Sequence, residues 1–546
     1  MTTAETQGAR FSTATIEAAI RGRKPRPPAI LWVPALFVAA AMALPLVYLL
    51  IRSLGAGAEF WDLLFRIRTL QILLRSALLV AAVTAASAAI AVPLAWLTTR
   101  TDLPFRRTWA VLTSLPLVIP SYVGAFLVVV ALGPRGMLQQ GLEGPFGVER
   151  LPEIYGFPGA MLTLTLLSYP YVLLPVRAAL SRMDPSLEEA SRSLGYNTWA
   201  TFRRVTLPLL RPAIAAGALL VALYTLSDFG AVSLLRYETF TWAIYLQYDS
   251  TFDRTLAAGL SLVLVFFAVG ILLAEYQTRG KARYHRSSSG AARPLERLRL
   301  GRWRWPALAF CTTIVILALA LPMSILGYWV ARGVSAGESI PNLWSATANS
   351  LSVSGLAVGA SLVAALPVAI LAVRFPGRIT SLLERTSYIG FALPGIAVAL
   401  ALVFFGVRFA TPVYQTTGLL IFAYVVLFLP AGVGALRTSL LQISPRVEEA
   451  ARSLGRSPLG VLYTITLPLL SSGLLAGGAL VFLLTMKELP ATLILAPIGF
   501  KSLATSIWSA SSEAFFAQAA AQALVLILVS SIPMAFLLLR ERRLAQ

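Results

Sequence analysis

The chain has 546 residues, of which 57% are apolar and only 13% are charged. A soluble chain of this length would carry about 25% charged residues, so an ordinary soluble enzyme is excluded. Lys and Arg outnumber Asp and Glu by 45 to 24, and there is one cysteine and one histidine. A single cysteine cannot form an intrachain disulfide, and a single histidine cannot form a His-cluster metal site. The composition is that of a polytopic membrane protein.

Apolar runs of about 20 residues predict membrane-spanning helices, because a helix satisfies its own backbone hydrogen bonds in hydrocarbon. An all-α fold with about twelve spans is therefore expected. The first run is longer than the apolar region of a signal peptide, which is about 7–15 residues. A membrane span is therefore favoured over a cleaved signal peptide, which is the alternative. The runs are 30–52, 70–99, 109–133, 158–180, 212–235, 255–277, 305–331, 348–373, 384–409, 416–440, 471–495 and 514–539.

The distribution of positive charge predicts the orientation. If the N-terminus is cytoplasmic, the cytoplasmic segments hold 33 of the 45 Lys and Arg residues. Cytoplasmic loops carry such an excess, so both termini are expected in the cytoplasm. The same charge favours contact with anionic membrane lipids, and nucleic acid is a poor alternative.

An internal repeat relates the first six runs to the last six. Residues 184–214 and 444–474 align without a gap at an offset of 260, and 13 of the 31 positions are identical. Phe240 and Phe500 keep this offset. Six spans return each copy to the same orientation, so the repeat is parallel. Before the repeated loop of each half, a second set of matching residues has an offset of 274. The pairs are Pro93 with Pro367, Arg100 with Arg374, and Pro120 with Pro394.

The repeat predicts two pseudo-symmetric six-helix halves. The expected divisions are a basic cytoplasmic tail (1–29), a first domain (30–277), a cytoplasmic linker (278–304), a second domain (305–540) and a short tail (541–546). Each domain contains one copy of the repeated loop, at 182–211 and 442–470.

The repeated loop begins with residues that start a helix. Asp184-Pro185 and Ser444-Pro445 place an N-cap residue before a proline at the first helical position. Gly195 and Gly455 can end the helix in a left-handed conformation. One such helix alone would be an ordinary surface helix, but two copies in divergent halves favour a docking surface.

The loop also resembles a family signature, E-A-A-x(3)-G-x(9)-I-x-L-P, of permease subunits of binding-protein-dependent ABC importers. The second copy matches fully, and the first has Ser191 for Ala and Val205 for Ile. The resemblance implies the type I ABC importer permease fold in a bacterial inner membrane. It also implies a periplasmic or lipid-anchored binding protein and two ATP-binding cassette subunits as partners. The residues expected to face the two ATPases are Glu189, Ala190, Gly195, Leu207 and Pro208 in the first copy, and Glu449, Ala450, Gly455, Leu467 and Pro468 in the second.

The chain is not expected to hydrolyse ATP itself. A P-loop requires G-x(4)-G-K-[ST], and the only lysine that follows a glycine is Lys281, which precedes Ala282. A non-enzymatic transporter subunit without bound cofactors is therefore expected, with ATP hydrolysed by partner subunits.

Charged residues at the ends of two spans are candidates for the transport pathway, because charge inside a membrane is costly. Asp228 lies near the end of the fifth run, and Lys487 and Glu488 lie in the eleventh, where Glu488 matches Asp228 at the same offset of 260. The alternative is a structural ion pair in which Lys487 neutralises Asp228 or Glu488.

Several short segments resemble the ferric-iron branch of this permease family, among them LPLVIPSY at 115–122 and KELPAT at 487–492. Hard Fe(III) prefers oxygen ligands, which Asp228, Glu488 and tyrosines supply. Brief contact is expected, without a stable metal site, because conduction requires release. A fused thiamine or other small-solute permease is the alternative, and a secondary transporter is a weaker one.

Overall fold

The structure is a computed structural model that describes residues 28–54, 61–62, 65–148, 150–184, 186–249, 254–278, 298–339 and 342–545. Most of the predicted tail 1–29 and of the linker 278–304 lies outside these residues, and their domain boundaries remain predictions. Within the described residues the regular structure is helical, apart from one isolated bridge between Thr101 and Leu298.

In the residues that the structure describes, the first half consists of α-helices and two short irregular helical turns. The α-helices are α1 (Ala29–Leu54), α2 (Ile67–Arg100), α3 (Arg106–Leu112), α4 (Ser121–Leu132), α5 (Met137–Phe146), α6 (Phe157–Ser168), α7 (Pro170–Arg182), α8 (Ser186–Ser193), α9 (Thr198–Thr201), α10 (Leu207–Ser227), α11 (Gly230–Leu234), α12 (Phe240–Asp249) and α13 (Arg254–Thr278). A 3₁₀ turn covers Leu115–Val118 and a π-helical turn covers Phe202–Thr206.

The second half repeats this order. Its α-helices are α14 (Arg304–Val315), α15 (Leu321–Ser335), α16 (Leu343–Arg374), α17 (Arg378–Ser387), α18 (Ile389–Ala392), α19 (Gly395–Phe409), α20 (Thr417–Gln442), α21 (Pro445–Ser453), α22 (Pro458–Val461), α23 (Leu467–Met486), α24 (Pro490–Leu495), α25 (Leu503–Ser512) and α26 (Phe516–Ala545). A 3₁₀ turn covers Gly301–Trp303, and π-helical turns cover Ile316–Ala320 and Leu462–Thr466.

Eleven helical segments in the described residues are long and apolar enough to cross a membrane, or twelve if one bent pair is a single span. The all-α polytopic fold is therefore confirmed. The bent pair is Arg378–Ala392 and Gly395–Phe409, which meet at 105°. The predicted span over 384–409 is therefore broken in the middle, because Pro394 keeps Leu393 out of the helical conformation.

The fifth and eleventh predicted spans are displaced toward the repeated loops. Their helices begin at Thr198 and Pro458 and end at Ser227 and Met486. The residues that follow form the separate short helices α11 and α24. Asp228 and Glu488 consequently lie in breaks between helices.

The first span of each half packs on the other half. Helix α1 contacts α16, α17 and α19 of the second half. Correspondingly, Cys311 of α14 is buried in one cluster with Leu164 and Tyr169 of the first half. The two halves are therefore interlocked by an exchange of their first helices.

Helix bounds show where the repeat changes register. The segments Phe157–Arg182 and Thr417–Gln442 keep the offset of 260. Helices α12 and α25 instead begin at Phe240 and Leu503, and their first N–H groups bond Ser76 Oγ and Ser350 Oγ respectively. The sequence match of Phe240 with Phe500 is therefore wrong as a structural equivalence, because extra residues precede α25 in the second half and Phe240 corresponds to Leu503.

Candidate functional site

The two repeated loops have the same local geometry. Helices α8 and α21 end at glycines with positive φ, +86° at Gly195 and +84° at Gly455, which agrees with the predicted left-handed caps. No atom lies within 4 Å of a Cβ built on either glycine. Asp184 Oδ1 accepts the N–H of Ser186, whereas the side chain of Ser444 makes no capping bond.

Most residues expected to face an ATPase are exposed in both copies. They are Glu189, Ala190, Gly195, Glu449, Ala450, Gly455 and Pro468, whereas Leu207, Pro208 and Leu467 are half-buried.

Large apolar side chains are exposed beside the docking residues. Leu194 is 77% exposed and Leu454 is 85% exposed, at equivalent positions of the two loops. Trp199 and Tyr463 are exposed as well. Contiguous exposed apolar surface marks an interaction site, so the geometry is compatible with docking to a partner.

A buried ion pair beneath the first loop was not predicted. Glu188, next to the signature residue Glu189, is buried and lies 3.3 Å from Arg100 at the end of α2. Thr206 donates a hydrogen bond of 2.8 Å to Glu188 Oε1, and Arg192 lies 3.7 Å from its second oxygen.

The second half contains the same arrangement. Arg374 at the end of α16 lies 3.0 Å from Glu448, and Thr466 donates to the same carboxylate at 3.3 Å. The repeat could have predicted this ion pair, because its arginine, glutamate and threonine recur at matching positions in both halves. Each loop is therefore tied to the long second helix of its own half.

The two candidate pathway carboxylates each cap a short helix. Asp228 Oδ1 accepts the N–H groups of Ala231 at 2.9 Å and Val232 at 3.4 Å. Glu488 Oε1 accepts the N–H of Ala491 at 3.1 Å.

The predicted ion pair of Lys487 is wrong. Lys487 Nζ instead donates to the carbonyl of Leu117 at 2.8 Å. Among the ion pairs of the described residues, none joins Lys487 to Asp228 or Glu488. The ammonium therefore links the end of α23 to the 3₁₀ turn of the other half.

Tyrosines surround the two carboxylates. Tyr122 is buried and Tyr224 is half-buried. Tyr122 is close enough to interact electrostatically with Glu488, and Tyr224 with Asp228. The Tyr424 hydroxyl lies 2.6 Å from Thr492 Oγ1, and Thr492 itself donates to the backbone carbonyl of Glu488. No group of three or more His, Cys, Asp or Glu side chains suitable for a metal occurs in the described part of the chain.

Two cavities lie in the second half, and the inner one, of about 10 Å³, is beside Glu488. The inner cavity is narrow and is lined by Glu488, Tyr424, Ser350, Ser354, Ser502 and Phe500, among others. The outer cavity has a volume of about 480 Å³ and includes Asn342, Thr492, Phe500, Trp508 and Gln522 in its lining.

Comparison with known proteins identifies the class. Residues 91–283 and 358–546 match the family described as "Binding-protein-dependent transport system inner membrane component". The matched regions cover more than half of the chain and contain both repeated loops. The chain therefore belongs to this family of membrane permeases, which excludes the secondary transporter.

Individual relatives are similar over different lengths. The chain is 37% identical over 514 residues to the "Fe(3+)-transport system permease protein FbpB 2" of Haemophilus influenzae, covering 93% of this chain and 97% of the relative. It is 28% identical to the "Ferric transport system permease protein FbpB" of Actinobacillus pleuropneumoniae, covering 76% and 63%. It is 32% identical to the "Molybdenum transport system permease protein ModB" of Escherichia coli, covering 34% and 82%.

Proposed function

We propose that this chain is the membrane permease of an ABC importer for ferric iron, which a binding protein delivers at the outer face. The observation that supports ferric iron as the cargo is the similarity to a ferric permease along almost the whole of both chains. The oxygen-rich surroundings of Glu488 support it, because hard cations prefer carboxylate and hydroxyl ligands.

The energy comes from two separate ATPase subunits, one on each repeated loop. The exposed ends of α8 and α21 provide two equivalent docking surfaces, and the sequence contains no P-loop. In this proposal both loops and both termini lie in the cytoplasm, and the positive-charge distribution of the sequence supports that orientation. The outer cavity then faces the opposite side of the membrane.

The proposal is tested by reconstituting the chain with its ATPase and binding protein in proteoliposomes. ATP-dependent uptake of ferric iron is expected only when the binding protein is present. Thiamine uptake without a response to iron would contradict the cargo while leaving the permease assignment intact.

A second cargo is favoured by one observation. The half-buried ammonium of Lys487 has a carbonyl as its hydrogen-bond acceptor, and an ammonium attracts oxyanions. The relative from Escherichia coli named for molybdenum transport is similar over about a third of the chain. Uptake of molybdate in place of iron in the same proteoliposomes would establish this alternative.

A further inference from the structure

We propose that residues 299–305 bind the headgroup of an anionic membrane lipid, and that the bound lipid stabilises the first repeated loop, 182–211. This basic–aromatic segment, 299–305, joins the linker to α14. The inference goes beyond the proposed transport function and uses only the docking role of that loop. The observation behind it is that Arg100 bonds both the end of the linker and the loop.

The basic–aromatic segment exposes both cationic and aromatic side chains. Trp303 is 74% exposed and Trp305 is 75% exposed. Arg299, Arg302 and Arg304 are exposed as well. Among the ion pairs of the residues that the structure describes, none includes these three arginines. Three uncompensated positive charges beside indole rings attract an anion that also has an apolar part.

The position of the segment favours a lipid over a soluble anion. It overlaps the start of the candidate span Gly301–Ser335, which has 35 residues. A helix of this length extends about 50 Å, whereas the hydrocarbon core is about 30 Å thick. The ends of the span therefore reach the level of the lipid headgroups, where tryptophan side chains are enriched. Arginines at this level meet lipid phosphates directly.

Three hydrogen bonds fasten the end of the linker to the turn that follows α2. The N–H of Leu298 donates to the carbonyl of Arg100 at 2.9 Å, and its carbonyl accepts the N–H of Asp102 at 3.1 Å. Asp102 Oδ1 accepts the N–H of Leu300 at 2.9 Å. Arg299 lies between the two bonded residues, so a ligand that holds the segment also holds this junction.

The same turn anchors the first loop. The side chain of Arg100 is 2% exposed and lies 3.3 Å from Glu188. The backbone of Arg100 thus holds the linker while its guanidinium holds the loop. A ligand that binds only the ordered segment stabilises this arrangement by mass action. Within the described ranges the turn after Arg374 has no such bridge to the linker, so the effect is expected at the first loop only.

Native mass spectrometry tests the lipid site. The full chain in detergent is titrated with phosphatidylglycerol or phosphatidylcholine, and the affinity for the first bound lipid is measured. Arg302→Gln with Arg304→Gln should weaken phosphatidylglycerol binding about thirtyfold, since each arginine contributes about 1 kcal/mol. Lysine at both positions should preserve most of the affinity. Arg66→Gln with Arg150→Gln is the control, because these arginines are exposed elsewhere, and it should have no effect.

Several results would overturn the lipid site. They are unchanged phosphatidylglycerol binding in the glutamine pair, an equal loss in the control pair, and equal affinities of the wild type for the two lipids. Displacement of the lipid by inorganic phosphate would also do so, because it would indicate a soluble-anion site. If the glutamine pair is not monodisperse, Arg299→Gln removes one charge and should weaken binding about fivefold.

Hydrogen exchange of the full chain tests the link to the loop. At a lipid concentration about nine times the dissociation constant, amides of 182–211 should exchange up to about tenfold more slowly, and those of 442–470 should not change. Asp102→Ala removes the acceptor of Leu300 N–H and should abolish the slowing, whereas Asp102→Asn should keep it. Equal slowing of both loops, or of neither, would overturn the link. Loss of iron uptake would instead refute the proposed function, since neither measurement uses iron.

Discussion

At the residue scale, Asp228 and Glu488 each combine a capping bond with an ionisable carboxyl group in a break between helices. The isosteric amides Asp228→Asn and Glu488→Gln keep an oxygen that can accept the backbone N–H but lose the charge. We expect these variants to retain normal abundance and thermal stability while iron uptake falls. Uptake and the unfolding temperature are measured on the same preparations.

Alanine variants at the same positions provide the control. Loss of the cap costs about 0.5–2 kcal/mol, so Asp228→Ala should lower both stability and uptake. If the amide variants lose stability and uptake in the same proportion, the carboxylates have a structural role only.

Lys487 carries a half-buried ammonium group whose hydrogen-bond acceptor is a carbonyl. Replacing such a group by an apolar side chain of similar size is often neutral or stabilising, because the desolvation cost is removed. Lys487→Met is therefore expected to unfold at the same or a higher temperature, and to transport more slowly. A fall of several degrees in the unfolding temperature would show that the bond to Leu117 holds the halves together.

At the element scale, the buried pairs Arg100–Glu188 and Arg374–Glu448 join each docking loop to a long helix. Removing one partner of a buried pair leaves an uncompensated charge and costs about 3–5 kcal/mol. In a double-mutant cycle of Arg374→Met and Glu448→Gln, each single change should be strongly destabilising. The double variant should lose less than the sum, as measured by thermal unfolding.

A more exposed ion pair provides the comparison. Arg437 and Glu384 are 2.8 Å apart, but the arginine side chain is 47% exposed. Exposed pairs contribute about 0–1 kcal/mol, so Arg437→Met should have a small effect. Equal losses for Arg374→Met and Arg437→Met would mean that the buried pair does not anchor the loop.

Variants of the glycine caps can distinguish an effect on folding from an effect on ATPase docking. Gly455 has a φ of +84° with no atom within 4 Å of its Cβ position. Asn tolerates this conformation, whereas Val and Trp share the backbone strain. Gly455→Asn should remain functional, and Gly455→Trp should bind the ATPase more weakly than Gly455→Val in a co-purification assay. Equal ATPase binding by the Val and Trp variants would show that the glycine does not face the partner.

The sequence predicted the helical class, the repeat and the exposed loops, because these depend on composition and local signals. It did not predict that Glu188 is buried beside exposed Glu189. Neighbouring residues on a helix point about 100° apart, and tertiary packing decides which one faces inward. The break before Asp228 was missed for a related reason, since hydropathy does not show where a backbone N–H needs a cap.

At the scale of the whole molecule, the exchanged first helices make each half depend on the other. Because α1 packs on the second half, separately expressed segments 1–297 and 298–546 should associate in the membrane and co-purify. A first segment that begins at residue 55 should associate much more weakly. Equal recovery of the second segment with both versions would contradict a stabilising role for the exchange.

The two docking loops on one chain determine the expected stoichiometry. They are equivalent under the repeat, each presents an exposed helix end, and each is anchored by its own buried ion pair. One copy of this chain should therefore bind two ATPase subunits, and the intact mass should equal 58.6 kDa plus twice the ATPase mass. Gly195→Trp and Gly455→Trp, tested singly, should each weaken the binding of one ATPase, and the double variant should release both. Native mass spectrometry in detergent measures these ratios directly. Two copies of this chain in each complex would contradict a fused pseudo-dimer, because a second chain would bring two further docking loops.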